Sequence, residues 1–196
     1  MTGIFRPFIL GLGGTPRPGS STERALQVAL DAARAAGAET TLLGGEALKL
    51  PIYDPAVIDL PGPAAHPVTL VRRCDGLIVA SPGYHGSMSG MIKNALDYIE
   101  ALRDEPTPYL EGRAVGCIVC AHGWQATGTT LIAMRSVVHA LRGWPTPFGA
   151  AINSAQPLFD AAGGCTDAAV RAQLALVGRQ VVEFAHMRRA SAEASP

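Results

Sequence analysis

At 196 residues, with 48% hydrophobic and 16% charged side chains, the chain has room for one domain with a full core and is too apolar for disorder. Sixteen basic and sixteen acidic residues cancel, which removes any long-range pull toward nucleic acid or an anionic membrane. Neither a secretory signal nor an apolar run of about 18 residues is present, so the expected compartment is cytoplasmic and no membrane is expected as a partner.

Phe8–Leu12 is an apolar run that predicts a first strand. It ends in Gly13-Gly-Thr-Pro-Arg-Pro-Gly-Ser-Ser-Thr-Glu-Arg24. Ser20 with Glu23 is a capping box, so a helix starts here and runs over about 22–36, with Leu26, Ala29, Leu30 and Ala33 on one face. The free N–H groups of its first turn and the positive end of its dipole make an anion site. Thr15, Ser20, Ser21 and Thr22 add hydroxyls, and Arg17 adds a charged planar fork. That set suits a phosphate monoester dianion better than the single charges of a bridging pyrophosphate. Two other phosphate loops fit poorly. A Walker loop needs Lys where Ser20 stands, and a dinucleotide fingerprint needs a third glycine where Pro16 stands.

Glu39–Leu43 predicts a second strand, and five prolines make 51–67 a long irregular connection. Gly76–Ala80 predicts the third strand, Ala114–Ala121 the fourth and Phe148–Ile152 the fifth, with helices at about 89–103, 127–142 and 167–187. Trp144 is expected in the core, and 189–196 as a frayed, flexible tail after a single domain over 1–188. The unbroken apolar runs Leu77-Ile78-Val79 and Val115–Val119 are strands covered on both faces. Strand and helix alternate, so right-handed βαβ units build an open parallel α/β sheet between two helix layers. Five strands favour a flavodoxin-like order of 2-1-3-4-5.

Cys117-Ile-Val-Cys120 has metal-like spacing, but residues three apart on a strand face opposite sides and no second pair completes a site. Buried thiols are the expected reading, and no metal is expected.

Ligands of open α/β sheets lie beyond the carboxyl ends of the strands, near the switch point. That brings together 13–22, 81–89 and 122–128. In Ser81-Pro-Gly-Tyr-His-Gly-Ser-Met-Ser-Gly90, the glycines admit a flat ligand close to the backbone. Tyr84 and His85 can pack beside its plane. Lys93 and Asp97, on the helix that follows, form a weak i,i+4 pair.

These segments carry a resemblance. Thr15-Pro-Arg17-x-x-Ser20 resembles the Gly-Ser-x-Arg-x-x-Ser phosphate loop of the NAD(P)H-dependent FMN reductase family, with Thr15 in place of the usual Ser. Ser81-Pro82-Gly83-Tyr84-His85-Gly86-Ser87, followed by Lys93-Asn94-Ala95-Leu96-Asp97, is similar to that family's Pro-x-Tyr-(Asn or His)-Gly-Ser … Lys-Asn-Ala-x-Asp segment. The resemblance implies a flavodoxin-like fold and FMN as cofactor, with NADPH or NADH as cosubstrate. Carried over, Thr15, Arg17, Ser20, Ser21 and Thr22 contact the phosphate, and Pro82, Gly83, Tyr84, His85, Gly86 and Ser87 flank the isoalloxazine. His122, Gly123 and Trp124 supply further ring contacts, where the family shows a Gly-rich stretch instead.

Flavin N5 then carries the chemistry and no catalytic side chain is required. The resemblance also implies small-molecule substrates, a homodimer or homotetramer, and reduced flavin supplied to a partner monooxygenase. The alternative is a chain that retains FMN and reduces quinones, azo compounds or metal oxyanions. A flavodoxin-like electron carrier fits less well, since such carriers are strongly acidic and this chain has zero net charge. A serine hydrolase fits poorly too, because Gly86-Ser-Met-Ser89-Gly90 is not Gly-x-Ser-x-Gly and no Asp is placed to orient His85 or His122.

Overall fold

The computed structural model describes residues 5–57 and 59–194. Its strands are β1 (Phe8–Gly13), β2 (Glu39–Leu43), β3 (Gly76–Tyr84), β4 (Ser87–Met88), β5 (Ala114–Ala121), β6 (Trp144–Pro145) and β7 (Ala150–Asn153). The helices are α1 (Ser21–Ala35), α2 (Gly62–Arg73), α3 (Gly90–Asp97), α4 (Trp124–Ala140) and α5 (Ala168–Ala194). In the parallel sheet β2, β1, β3 and β5 lie side by side, and β6 and β7 share the next position. β6 pairs with the start of β5 through Ala114↔Trp144, and β7 with its end through Ile118↔Ala150 to Ala121↔Asn153. The expected 2-1-3-4-5 order is therefore present, with its fifth strand broken in two.

The break has a chemical cause. Pro145 and Pro147 each remove a donor from the ladder. The Thr146 carbonyl is taken instead by the Arg135 guanidinium at 2.7 Å, and the Thr146 hydroxyl donates to Phe148 O at 2.8 Å.

Alternation along the strands builds two cores. Leu10, Leu12, Leu77, Val79, Val115, Cys117 and Val119 pack against α2, α3 and α4. Ile9, Ile78, Ala80, Ile118 and Cys120 pack against α1 and α5. On that second face α5 crosses α1 so closely that a Cβ at Gly178 would lie 2.1 Å from the Ala29 carbonyl oxygen. Gly178→Ala should therefore cost about 1–3 kcal/mol, since the obstacle is backbone and cannot rotate away. An unchanged midpoint in urea unfolding would refute that contact.

Four expectations are corrected. The 51–67 connection is not irregular throughout: α2 starts at Gly62 with Pro63 in its first turn, where a missing N–H costs nothing, and carries Pro67 inside it. The 89–103 helix is α-helical only to Asp97 and ends in a tight 3₁₀ turn over Tyr98–Leu102. Trp144 lies outside the core: it is 59% exposed and leans on Phe184 with ring centroids 5.9 Å apart. The last helix runs to Ala194, beyond its expected end at about 187; 195–196 lie outside the described residues. No helix among the described residues is long and apolar enough to cross a membrane.

Candidate active site

The carboxyl ends of β1, β3 and β5 are consecutive in the sheet, so their loops lie on one edge and the outer two are about 10 Å apart. Two contacts tie the first pair together. The Gly14 N–H donates to Ala80 O at 3.3 Å, and a Cβ at Gly13 would stand 2.4 Å from that same oxygen. Any side chain at Gly13 would push the first loop away from the second.

In the first loop, the Thr15 hydroxyl accepts from the Arg17 N–H at 3.2 Å and closes a small turn. The Arg17 side chain is exposed, and its guanidinium makes no hydrogen bond or ion pair with the described residues. Ser20 is buried and caps α1, accepting from the Glu23 N–H at 3.3 Å while keeping its own O–H to donate. The Glu23 carboxylate lies beside Gly14. The N–H groups of Ser21 and Thr22 have no acceptor within the helix. Thr22 is buried, with its hydroxyl against the Cys120 thiol, so what it offers the loop is backbone N–H.

The second segment is a hairpin. β3 continues through Ser81 and Pro82 to Tyr84, turns at His85 and Gly86, and returns as β4, pairing Tyr84↔Ser87 and Gly83↔Met88. Both turn residues have positive φ, 51° and 86°, the geometry of a type I′ turn. Ser81 locks the base: its hydroxyl is buried, accepts from the Ser89 N–H at 2.9 Å and donates to Pro82 O at 2.8 Å. Ser89 then caps α3 through the Ile92 N–H. Gly83 sits against α4, where a Cβ would be 2.9 Å from the Thr130 hydroxyl. Tyr84 is 54% exposed, and His85, Gly86 and Ser87 are exposed with it.

The third segment departs from expectation in its local structure. α4 begins at Trp124, three residues before the expected start, so Trp124, Gln125 and Ala126 form a first helical turn rather than a loop. No side chain caps this end, which leaves its N–H groups toward the edge. The backbone before it is fixed by Asn153, whose side-chain oxygen accepts from the Gly123 N–H and the Ala155 N–H, each at 3.1 Å. His122 is exposed, and the Trp124 indole is 68% exposed.

Sequence reasoning passed over Asn153 and gave Asn94 no role beyond its place in the motif. Asn94, in the Lys-Asn-Ala-Leu-Asp run, accepts from the Tyr53 N–H and donates to Pro51 O, both at 2.8 Å, and so clamps the proline-rich segment onto α3. Its neighbours Lys93 and Asp97 pair with each other at 2.5 Å.

Cys117 and Cys120 fall in the two different cores, as residues three apart on a strand must. Burial pushes each thiol up to about 12, so both are neutral thiols at pH 7. The Cys117→Ser, Cys120→Ser double variant should lose stability through its buried hydroxyls yet keep its turnover per bound flavin. Turnover that collapses with flavin still bound would give a thiol a part in the reaction.

A sequence profile of the NADPH-dependent FMN reductases matches residues 7–157, a span that contains all three segments. An NAD(P)H-dependent FMN reductase of Pseudomonas aeruginosa is 29% identical over 163 residues, 81% of this chain and 84% of that protein. An NADPH azoreductase of Bacillus sp. (strain OY1-2) is 48% identical over a shorter 33 residues, 17% of this chain and 18% of that protein. In fold, the chain resembles the flavoenzyme NAD(P)H:(acceptor) oxidoreductase FerB from Paracoccus denitrificans, with a TM-score of 0.71 at 21% identity over 93% of this chain and 98% of that one. The chain belongs to the NADPH-dependent FMN reductase family, oxidoreductases that work with FMN and a nicotinamide donor.

Proposed function

We propose that this chain is an NAD(P)H-dependent FMN reductase that holds the FMN phosphate on its first loop and the isoalloxazine against its β3–β4 hairpin. The observation that carries this reading is the pairing of an unengaged Arg17 guanidinium with the uncapped N–H groups of Ser21 and Thr22. The donor set fits a phosphate monoester: a planar cation, the free O–H of Ser20 and a helix N-terminus, with Thr15 shaping the turn. The main chain of Pro82–Ser87 supplies donors and acceptors to the ring edge, and Tyr84 flanks it. Gly123 and the first turn of α4, with His122 and Trp124 beside them, close the other side. When bound, FMN supplies the acceptor for the nicotinamide hydride. The work left to the chain is to bind, to orient and to leave one ring face open.

In this reading the protein is a single FMN-binding domain that works as a cytoplasmic homodimer or homotetramer and passes reduced flavin to a partner monooxygenase. A second reading, in which FMN stays bound and azo compounds or quinones are reduced, draws on the local likeness to the azoreductase. One experiment separates them. The protein is loaded with FMN, passed through gel filtration and assayed with NAD(P)H. Loss of flavin with saturable consumption of added FMN supports the first reading, and retained flavin supports the second. A protein that binds no FMN and oxidises no NAD(P)H refutes both.

A further inference from the structure

The tip of the hairpin holds a residue whose backbone is more unusual than its side chain. His85 has φ of 51°, in the left-handed region that β-branched and bulky residues avoid. Two other non-glycine residues among those described share this feature, Tyr109 at 53° and Arg142 at 61°, and their side chains meet, with the Arg142 guanidinium 5.6 Å from the Tyr109 ring. His85 has no such partner: its imidazole is exposed and makes no hydrogen bond to the described residues.

The base of the hairpin is fixed by the Ser81–Ser89 hydrogen bond and by the fit of Gly83 against α4. One conformational choice is left, the hand of the turn. A two-residue turn matches the twist of its strands as type I′ or II′, both of which need positive φ at the first central residue, here His85, and the opposite hand splays the strands apart. Gly86, the second, takes positive φ without cost. At His85 the sequence uses one of the few side chains enriched in that region, alongside Asn and Asp.

We propose that His85 is a positioning residue that acts through its left-handed backbone, closing the type I′ turn that sets the main chain of Tyr84 and Ser87 at the flavin edge. The imidazole takes no part as acid or base. This inference rests on the functional reading above, and it assigns to backbone conformation a histidine whose ring the sequence reading placed beside the flavin plane.

The test compares His85→Val, His85→Asn and His85→Gly by fluorescence titration with FMN and riboflavin and by anaerobic flavin bleaching with NAD(P)H. Val is disfavoured at positive φ, so H85V should bind both flavins about tenfold more weakly, by the same factor, because the ring contacts are displaced and the phosphate loop is not. H85N and H85G should stay within about threefold of the wild type in affinity and in bleaching rate. If H85V does not fold, H85A carries the same comparison, with an expected loss of about fivefold or more, outside the range allowed to H85N and H85G.

Asn and Gly variants as weak as the Val variant overturn the proposal. So does an H85N protein that binds FMN normally but bleaches more than about tenfold slower, because the imidazole would then act in the reaction itself. A wild-type protein that binds neither flavin overturns the functional reading, and this inference with it.

Discussion

Arg17→Ala should weaken FMN binding by roughly 10- to 150-fold and leave riboflavin binding almost unchanged. Removing one partner of a charged hydrogen-bonded pair costs about 1.5–3 kcal/mol, and each 1.4 kcal/mol or so is a factor of ten in affinity. Only FMN presents the phosphate, so only FMN should report the loss. Arg17 is suited to this experiment because its guanidinium has no other task among the described residues. The Thr15–Arg17 turn is closed by the Arg17 main chain, which alanine retains, so the loop should keep its shape. Titration of both ligands by flavin fluorescence gives the answer directly. Equal losses for FMN and riboflavin would take Arg17 out of the phosphate site and leave the N-terminus of α1 without its cation.

What the sequence made legible follows from the range of each interaction. Strands buried on both faces declare themselves through runs such as Leu77-Ile-Val79, because burial on both sides removes all polar alternation. The Ser20 cap is equally local, and the structure forms it. α2 was hidden by composition: five prolines in 51–67 read as a connector, although Ala64, Val68 and Val71 keep helical spacing and are buried. That period was the signal that could have found the helix, and Pro67 masked it.

The features missed at the edge of the sheet are long-range ones. Asn153 lies 30 residues from the Gly123 N–H that it accepts, and Asn94 lies 43 residues from the Pro51 carbonyl that it clamps. Neither partner can be read from local spacing. The early start of α4 has the same origin, since a glycine held by Asn153 stands where a capping side chain would otherwise mark the helix. Trp144 was misplaced because aromatic residues before a strand usually pack inward, whereas the paired prolines break that strand and leave the indole on its edge.

The third strand was expected to end at Ala80 with 81–89 as its loop, whereas β3 runs on to Tyr84 and pairs back with β4 as a hairpin. Its regularity bears on the last expected result. Tyr84→Ala should change FMN affinity modestly and slow anaerobic bleaching of bound flavin by NAD(P)H about tenfold or more. Tyr84 is the last residue of β3, and its main chain is held by the pair with Ser87 whatever the side chain, so the variant should keep the hairpin. What it loses is an aromatic ring 54% exposed at the ring-binding edge. Hydride transfer needs the reacting atoms held about 3–3.5 Å apart, and a misplacement of about 1 Å can cost roughly 100-fold in rate. The phosphate anchor at Thr15–Thr22 is untouched, which is why binding should suffer less than rate. The control is Trp144→Ala. Trp144 is another exposed aromatic, but it pairs with Ala114 at the opposite end of β5, so its loss should leave bleaching per folded protein at the wild-type value. A Tyr84 variant that matches the wild type in both affinity and bleaching rate would mean that the ring does not lie against this hairpin.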